Sequence, residues 1–244
     1  MPEAFLWGLA AASTLLLGAL LAEARVPKKR TLGLVMGFGS GVLLSAVAYE
    51  LVEEAIDTAG RLQGVVAGIF VGTAVFTLGD LAVSRLGYAN RKSIHPTPPE
   101  ASPLTIVLGA LLDRIPESAV LGLTLLTTES VSLAMFAAIL ISNLPEGMAA
   151  TAGLRAGGWT LPSVVGLWGG IALASACAAQ LGFVALDNAS PDLLAFILAF
   201  AGGAVLTMLA TSMMPEAYEH AGRSVGVLTV VGFTLAFVIA WLEG

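Results

Sequence analysis

The sequence predicts an all-α integral membrane protein of eight transmembrane helices. Three observations carry this. Of 244 residues, 57% are hydrophobic and only 11% charged, against about 25% charged in soluble domains. The mean hydropathy is +0.90. Apolar stretches of the length a bilayer requires, about 20 residues, recur along the whole chain. Strand-like alternation is absent, which argues against a β-barrel.

Taken in order, the stretches predict helices at about 4–22, 32–55, 64–86, 104–126, 131–154, 161–185, 191–215 and 224–242, as one transmembrane domain. The Met1-Pro2-Glu3-Ala4 start has no basic n-region, so the first stretch reads as a retained helix. Connections are short except for 87–103, which is polar and rich in proline. Lys and Arg set the orientation. Arg25, Lys28, Lys29, Arg30, Arg85, Arg91, Lys92, Arg155 and Arg223 fall on one side, and only Arg61 on the other. The basic side is expected in the cytoplasm, with the 87–103 loop. Both termini are then outside, and the cell inner (plasma) membrane is the expected location.

Composition also excludes functions. The net charge of −6 and the lack of a basic, aromatic-interleaved patch argue against nucleic acid. The single cysteine, Cys177, excludes an internal disulfide and a thiolate cluster. There is no Walker-type loop, no His-Glu-x-x-His motif and no Gly-x-Gly-Asp motif around Asp80, so an enzyme is not expected.

Two internal repeats are visible. Residues 38–55 align without gaps to 200–217, with six of eighteen positions identical. In the expected topology the two helices run in opposite directions, as an inverted repeat requires. The second pair is Asp113-Arg114-Ile115-Pro116-Glu117-Ser118 and Ser142-Asn143-Leu144-Pro145-Glu146-Gly147, on helices 4 and 5. The implied arrangement is three helices, two central helices and three inverted helices, written 3+2+3.

The second pair carries the chemistry. Glu117 and Glu146 lie mid-helix, where an ionisable group costs about 2.5–3.5 kcal/mol on insertion scales and marks an ion or proton pathway. Pro116 cannot donate to the Leu112 carbonyl, nor Pro145 to that of Ile141, so each helix is expected to kink and expose an oxygen. Asp113 and Glu117 share a face at i, i+4, as do Ser142 and Glu146, and Asn143 joins Glu146 at i, i+3. The candidate metal ligands are therefore Asp113, Glu117, Ser142, Asn143 and Glu146. All are oxygen donors, which suit Mg, Mn or Fe(II) better than the N/S sets preferred by zinc. Arg114 modulates the set. It has three readings: one half of a two-metal site filled by a guanidinium, a buried ion-pair cluster locking helices 4 and 5, or an anion or proton pathway. Three carboxylates against one arginine leave room for one divalent cation.

This pattern resembles the ZIP (ZRT/IRT-like) metal transporters. Their helix 4 typically carries His-Asn-x-Pro-Glu-Gly, and helix 5 a related Pro-Glu-Gly motif. Asp113–Ser118 and Ser142–Gly147 hold those places here. Met214-Pro215-Glu216-Ala217 resembles the end of the family's helix 7, and Gly41-Val42-Leu43-Leu44 its helix 2. The resemblance covers nearly the whole chain. It implies a divalent metal-ion permease, with Zn, Cd, Mn, Fe or Co as cargo and no tightly bound cofactor. It also implies movement of helices 1, 4, 5 and 6 against the rest, and often a homodimer, in the lipid bilayer. The departures are specific. The family's helix 4 histidine is Asp113, its asparagine is Arg114, its helix 5 His or Gln is Ser142, and a helix 7 glutamate of the second site is Ser212. The histidine-rich loop shrinks to His95. A mononuclear, carboxylate-rich site is the expectation. The competing reading is a protein that keeps the fold, has lost metal transport, and regulates, binds or carries another solute.

Other polar groups are weaker. Glu50 aligns with Ser212 and, with Glu53, Glu54 and Asp57, reads as an acidic vestibule or a solvated helix end. Asp80 either pairs with Arg85 or lines an exit path. Glu216, Glu219 and His220 read as a solvated helix end or a transient exit ligand. Gly64, Gly68 and Gly72 form a small-residue stripe for close packing, within the protomer or at a dimer face.

Overall fold

The computed structural model describes residues 3–24, 28–59, 61–85, 103–127 and 132–243. The 87–102 segment with His95, and the turn at Thr128, Glu129 and Ser130, lie outside them. The described residues include short turns at 157–160, 187–190 and 222–223 and form eight continuous helical rods. We number these α1 (Glu3–Ala24), α2 (Lys29–Ala59), α3 (Leu62–Arg85), α4 (Pro103–Thr127), α5 (Leu133–Ala156), α6 (Leu161–Leu186), α7 (Pro191–Ala221) and α8 (Ser224–Glu243). All but α4 are long and apolar enough to cross a membrane. α4 is long enough too, but Asp113, Arg114 and Glu117 crowd its middle. The chain is a multi-pass, all-helical membrane protein.

Local chemistry sets the rod ends. Ser132, Thr160 and Ser190 accept from Met135 N–H, Ser163 N–H and Leu193 N–H, capping α5, α6 and α7. Pro162 and Pro191 follow in the first turn, where a missing N–H costs nothing. α7 stops at Gly222, whose φ of 61° suits a residue without Cβ. α2 extends past its apolar stretch at both ends, because polar residues outside a bilayer can continue a helix that the lipid no longer requires.

Two rods widen midway. Val47–Glu53 in α2 and Leu209–Met213 in α7 are π-helical, the wider turn whose hydrogen bonds span five residues. Nothing in the sequence signals either segment.

α1 lies against α5 and α6, and α2 against α5, α7 and α8. α3 lies against α7, and α4 against α6 and α7. α4 and α5 touch along a shorter stretch. The main core runs through α2 and α7, with Leu32, Met36, Leu43, Leu51, Leu198 and Met208 fully buried. A second cluster, including Leu15, Leu154 and Trp168, joins α1, α5 and α6. Trp168 Nε1 donates to Thr151 Oγ1 at 2.9 Å, which satisfies the one polar atom of a buried indole.

Glycines set the closest approaches. Gly41 of α2 lies under the Thr229 carbonyl of α8, and Gly232 of α8 under the Phe38 carbonyl of α2. On the other side, Gly203 of α7 meets the Ile69 carbonyl of α3, and Gly72 of α3 that of Phe200 in α7. A Cβ at any of these four would collide with backbone. Gly68 also faces α7, at the Phe196 carbonyl, whereas Gly64 has open space. Two glycines of the α3 stripe therefore serve packing within the protomer.

Candidate functional site

The two Pro-Glu motifs sit at the middle of α4 and α5, and both rods continue as helix across Pro116 and Pro145. Between them lies Arg114, only 2% exposed. Its Nη1 is 2.7 Å from Glu117 Oε2, one turn along the same helix. Its Nη2 donates to Glu146 Oε2 at 2.6 Å, across to α5. Asp113, also buried, adds a third carboxylate whose field acts on the same guanidinium. Two carboxylates on separate helices are thus held by one cation.

The burial explains the geometry. A charge removed from water needs an opposite charge and hydrogen bonds close by. A guanidinium offers five donors in a planar fork, so it can address two carboxylates at once where an ammonium would act as a point charge. Three carboxyl groups here stand against one guanidinium. This region is therefore suited to attract a further cation or protons.

The remaining predicted ligands are placed differently. Ser142 Oγ donates to the Ile139 carbonyl of its own helix at 3.1 Å. Asn143 Nδ2 donates to the Ala11 carbonyl of α1 at 2.9 Å, tying α5 to α1. Both side chains are fully buried. The tie has a steric counterpart, since Gly18 of α1 faces the Leu144 carbonyl and Gly147 of α5 faces that of Leu15. Among the described residues, no three His, Cys, Asp or Glu side chains form a group that could hold a metal ion. Arg114 engages one oxygen of Glu117 and one of Glu146.

Ser212 and Glu50, expected to modulate the site, lie in the two π segments, both half-buried. The α7 segment approaches the central helices. A Cβ built on Gly39 of α2 would lie 3.3 Å from Met213 Cε and 3.5 Å from Ser142 Cα, so α2, α5 and α7 converge there. Glu50 instead lines a cavity between α2 and α8 with Glu53. Asp80 and Glu216 are half-buried, and Glu219 is exposed.

Sequence reasoning missed the Ala11 carbonyl as the partner of Asn143, because a backbone acceptor on another helix leaves no residue-type signal. It also missed the aromatic lining of the α2–α8 cavity. Phe237 and Trp241 stand at i, i+4 in α8, a spacing that a search for such pairs would have found.

No known family profile matches the sequence. The chain is similar to a protein of Arabidopsis thaliana named "Putative zinc transporter", with 28% identity over 196 residues, 79% of this chain. It spans only 31% of that relative's length.

Proposed function

We propose that the chain is a divalent metal-ion permease of ZIP type, with eight membrane spans in a 3+2+3 inverted repeat. The transport path in this reading runs between α4 and α5. The carrying observation is the buried set of Asp113, Glu117 and Glu146 around Arg114, built from two Pro-Glu motifs on adjacent helices. Buried carboxylates in a membrane bundle are costly, and where they are retained they mark ion or proton paths. The plant relative's name supports metal as the cargo and makes zinc the first ion to test.

The repeat reading has its own support. Replacing α1, α2, α3 and α4 by α6, α7, α8 and α5, and the reverse, returns the same set of packed pairs. Contacts correspond residue by residue. The sequence alignment equates Phe38 with Phe200 and Gly41 with Gly203. The contact of Gly41 with Thr229 then matches that of Gly203 with Ile69, and Gly232 with Phe38 matches Gly72 with Phe200. The π segments begin at Val47 and Leu209, which are also aligned. Repeats of this kind put the transport site near the bilayer midplane at their interface.

Arg114 acts as a resident cation in this mechanism. While it bridges Glu117 and Glu146, their charges are compensated and the helices are clamped. An entering metal takes over Glu146 and Glu117, with Asp113 as a further oxygen donor. Arg114 yields because a divalent ion offers twice the charge at shorter range. The resulting site is mononuclear.

The test is uptake of Zn, Cd, Mn, Fe(II), Co and Mg into liposomes holding the purified protein, with Glu146→Ala and Arg114→Asn alongside. Zinc-led flux that Glu146→Ala abolishes supports the reading. Increased flux or a new metal ranking in Arg114→Asn supports competition between arginine and metal. Folded protein that moves none of these ions refutes the permease and leaves a ZIP-like scaffold used for binding or regulation.

A further inference from the structure

The cavity between α2 and α8 is separate from the α4–α5 cluster. It has a volume of about 290 Å³ and is lined by Tyr49, Glu50, Glu53, Phe237, Ala240 and Trp241. Three of the six are aromatic and two are acids, and no basic side chain contributes. The Tyr49 and Phe237 rings pack at a centroid distance of 5.1 Å, tilted by 44°, which fixes one wall. Trp241 stands one helical turn beyond Phe237 and is 72% exposed, at the open side.

This lining selects a class of ligand. Hard divalent cations favour shells of about six or more oxygens, to which this lining adds two carboxylates and a phenol beside two apolar rings. Aromatic faces attract large, weakly hydrated organic cations, and aromatic cages are the usual recognition device for quaternary ammonium groups. Carboxylates at the rim add charge without requiring an N–H donor from the ligand. The volume is near the lower end of small-molecule pockets, about 300–1,000 Å³, and suits a headgroup-sized cation.

Helix packing does not impose the rings. The corresponding contact of α3 with α7 is made through equivalent glycines. By the alignment of 38–55 with 200–217, Tyr49, Glu50 and Glu53 correspond there to Thr211, Ser212 and Pro215, and the matched glycine contacts, Gly232 with Gly72, place Phe237 and Trp241 opposite Thr77 and Leu81. The same backbone approach forms there with no aromatic ring at the corresponding positions, and with Asp80 in the place of Ala240, so the aromatic cage is an addition to one end of the molecule. Only this comparison draws on the repeat reading; the cavity and its lining do not.

The geometry points to a quaternary-ammonium site between α2 and α8, formed by the Tyr49, Phe237 and Trp241 rings with Glu50 and Glu53. Its ligand is a choline-type group, supplied either by a lipid headgroup or by a soluble ammonium compound. The site borders the π segment of α2, since Tyr49, Glu50 and Glu53 all belong to it.

The test is calorimetric titration of the whole protein in maltoside micelles, which carry no ammonium group. The titrants are tetramethylammonium, phosphocholine and the neutral choline isostere 3,3-dimethylbutanol. We expect saturable binding of both cations and none of the isostere. Trp241→Leu, at an exposed position, and Glu53→Gln are each expected to weaken binding about fivefold or more, as loss of a cation–π or charge contact implies. Absence of saturable binding, equal binding of the isostere, or unchanged affinity in both variants overturns the proposal. Nanodiscs distinguish the sources. Phosphocholine binding that persists in phosphatidylglycerol discs but vanishes in phosphatidylcholine discs identifies the lipid headgroup. Persistence in both identifies a soluble compound. Each readout is binding rather than flux, so its failure is independent of the transport reading.

Discussion

Arg114 holds one carboxylate of its own helix and one of the neighbouring helix, with all three side chains withdrawn from solvent. Removing one partner from a buried ion-pair set leaves uncompensated charge, which costs about 3–5 kcal/mol. Arg114→Leu is therefore expected to lower the thermal unfolding midpoint in detergent markedly. Added zinc should restore part of the loss in this variant if the vacated carboxylates accept a metal. A midpoint equal to that of the parent would mean that the carboxylates carry no charge to compensate. The pair of Arg155 with Glu23 is an internal control. Its bonds are 3.0 Å long, but both side chains are more than a third exposed. Solvent screening limits such pairs to about 1 kcal/mol or less, so Arg155→Ala should leave the same assay nearly unchanged.

At the scale of the helix, close approach depends on where glycine meets carbonyl. Gly72 and Gly203 each face a backbone oxygen that cannot move without displacing a helix. Gly72→Ala and Gly203→Ala are expected to lower the unfolding midpoint, because overpacking a tight contact costs about 1–3 kcal/mol. Gly64→Ala, with open space around it, should be neutral or stabilising by up to about 1 kcal/mol through helix propensity. Equal effects at Gly64 and Gly72 would contradict the close α3–α7 packing. Asn143 tests the α1–α5 tie. Interhelical hydrogen bonds in membrane proteins are worth about 0.6 kcal/mol on average and at most about 1.7. Asn143→Ala should lose stability within that range, measured by denaturant unfolding, and a larger loss would assign Asn143 a role beyond the bond to Ala11.

For the whole molecule, the number of crossings turns on α4. Seven rods satisfy length and apolarity, and α4 differs through three charges at its middle. If α4 spans, the count is eight and both termini share one side of the membrane. If it does not, the termini lie on opposite sides. The Lys and Arg distribution favours a shared, external side. Tags at the two ends, probed by an impermeant reagent in right-side-out vesicles, are both expected to react. Reaction of only one would remove the eight-span, 3+2+3 reading and with it the symmetric placement of a site between α4 and α5. Two oppositely inserted halves that pack alike are the structural condition for alternating access, which is why this measurement bears on function as well as topology.

The sequence by itself determined the membrane class and the chemical inventory. Hydropathy is a local, additive property, so each apolar stretch announces its own helix. The two Pro-Glu motifs declare themselves as costly residues that such helices do not otherwise retain. The six identities between 38–55 and 200–217 hinted at a repeat whose matching glycine contacts became visible only in three dimensions. The tertiary structure alone decided the partners. Arg114 bridges Glu117 and Glu146 rather than leaving them open, and Asn143 turns to the Ala11 carbonyl rather than joining the carboxylates. Tyr49 joins Phe237, from a helix far along the chain. Periodicity fixes which residues share a face of one helix. Which face meets which neighbour depends on how all the helices pack together, and no single stretch of sequence carries that information.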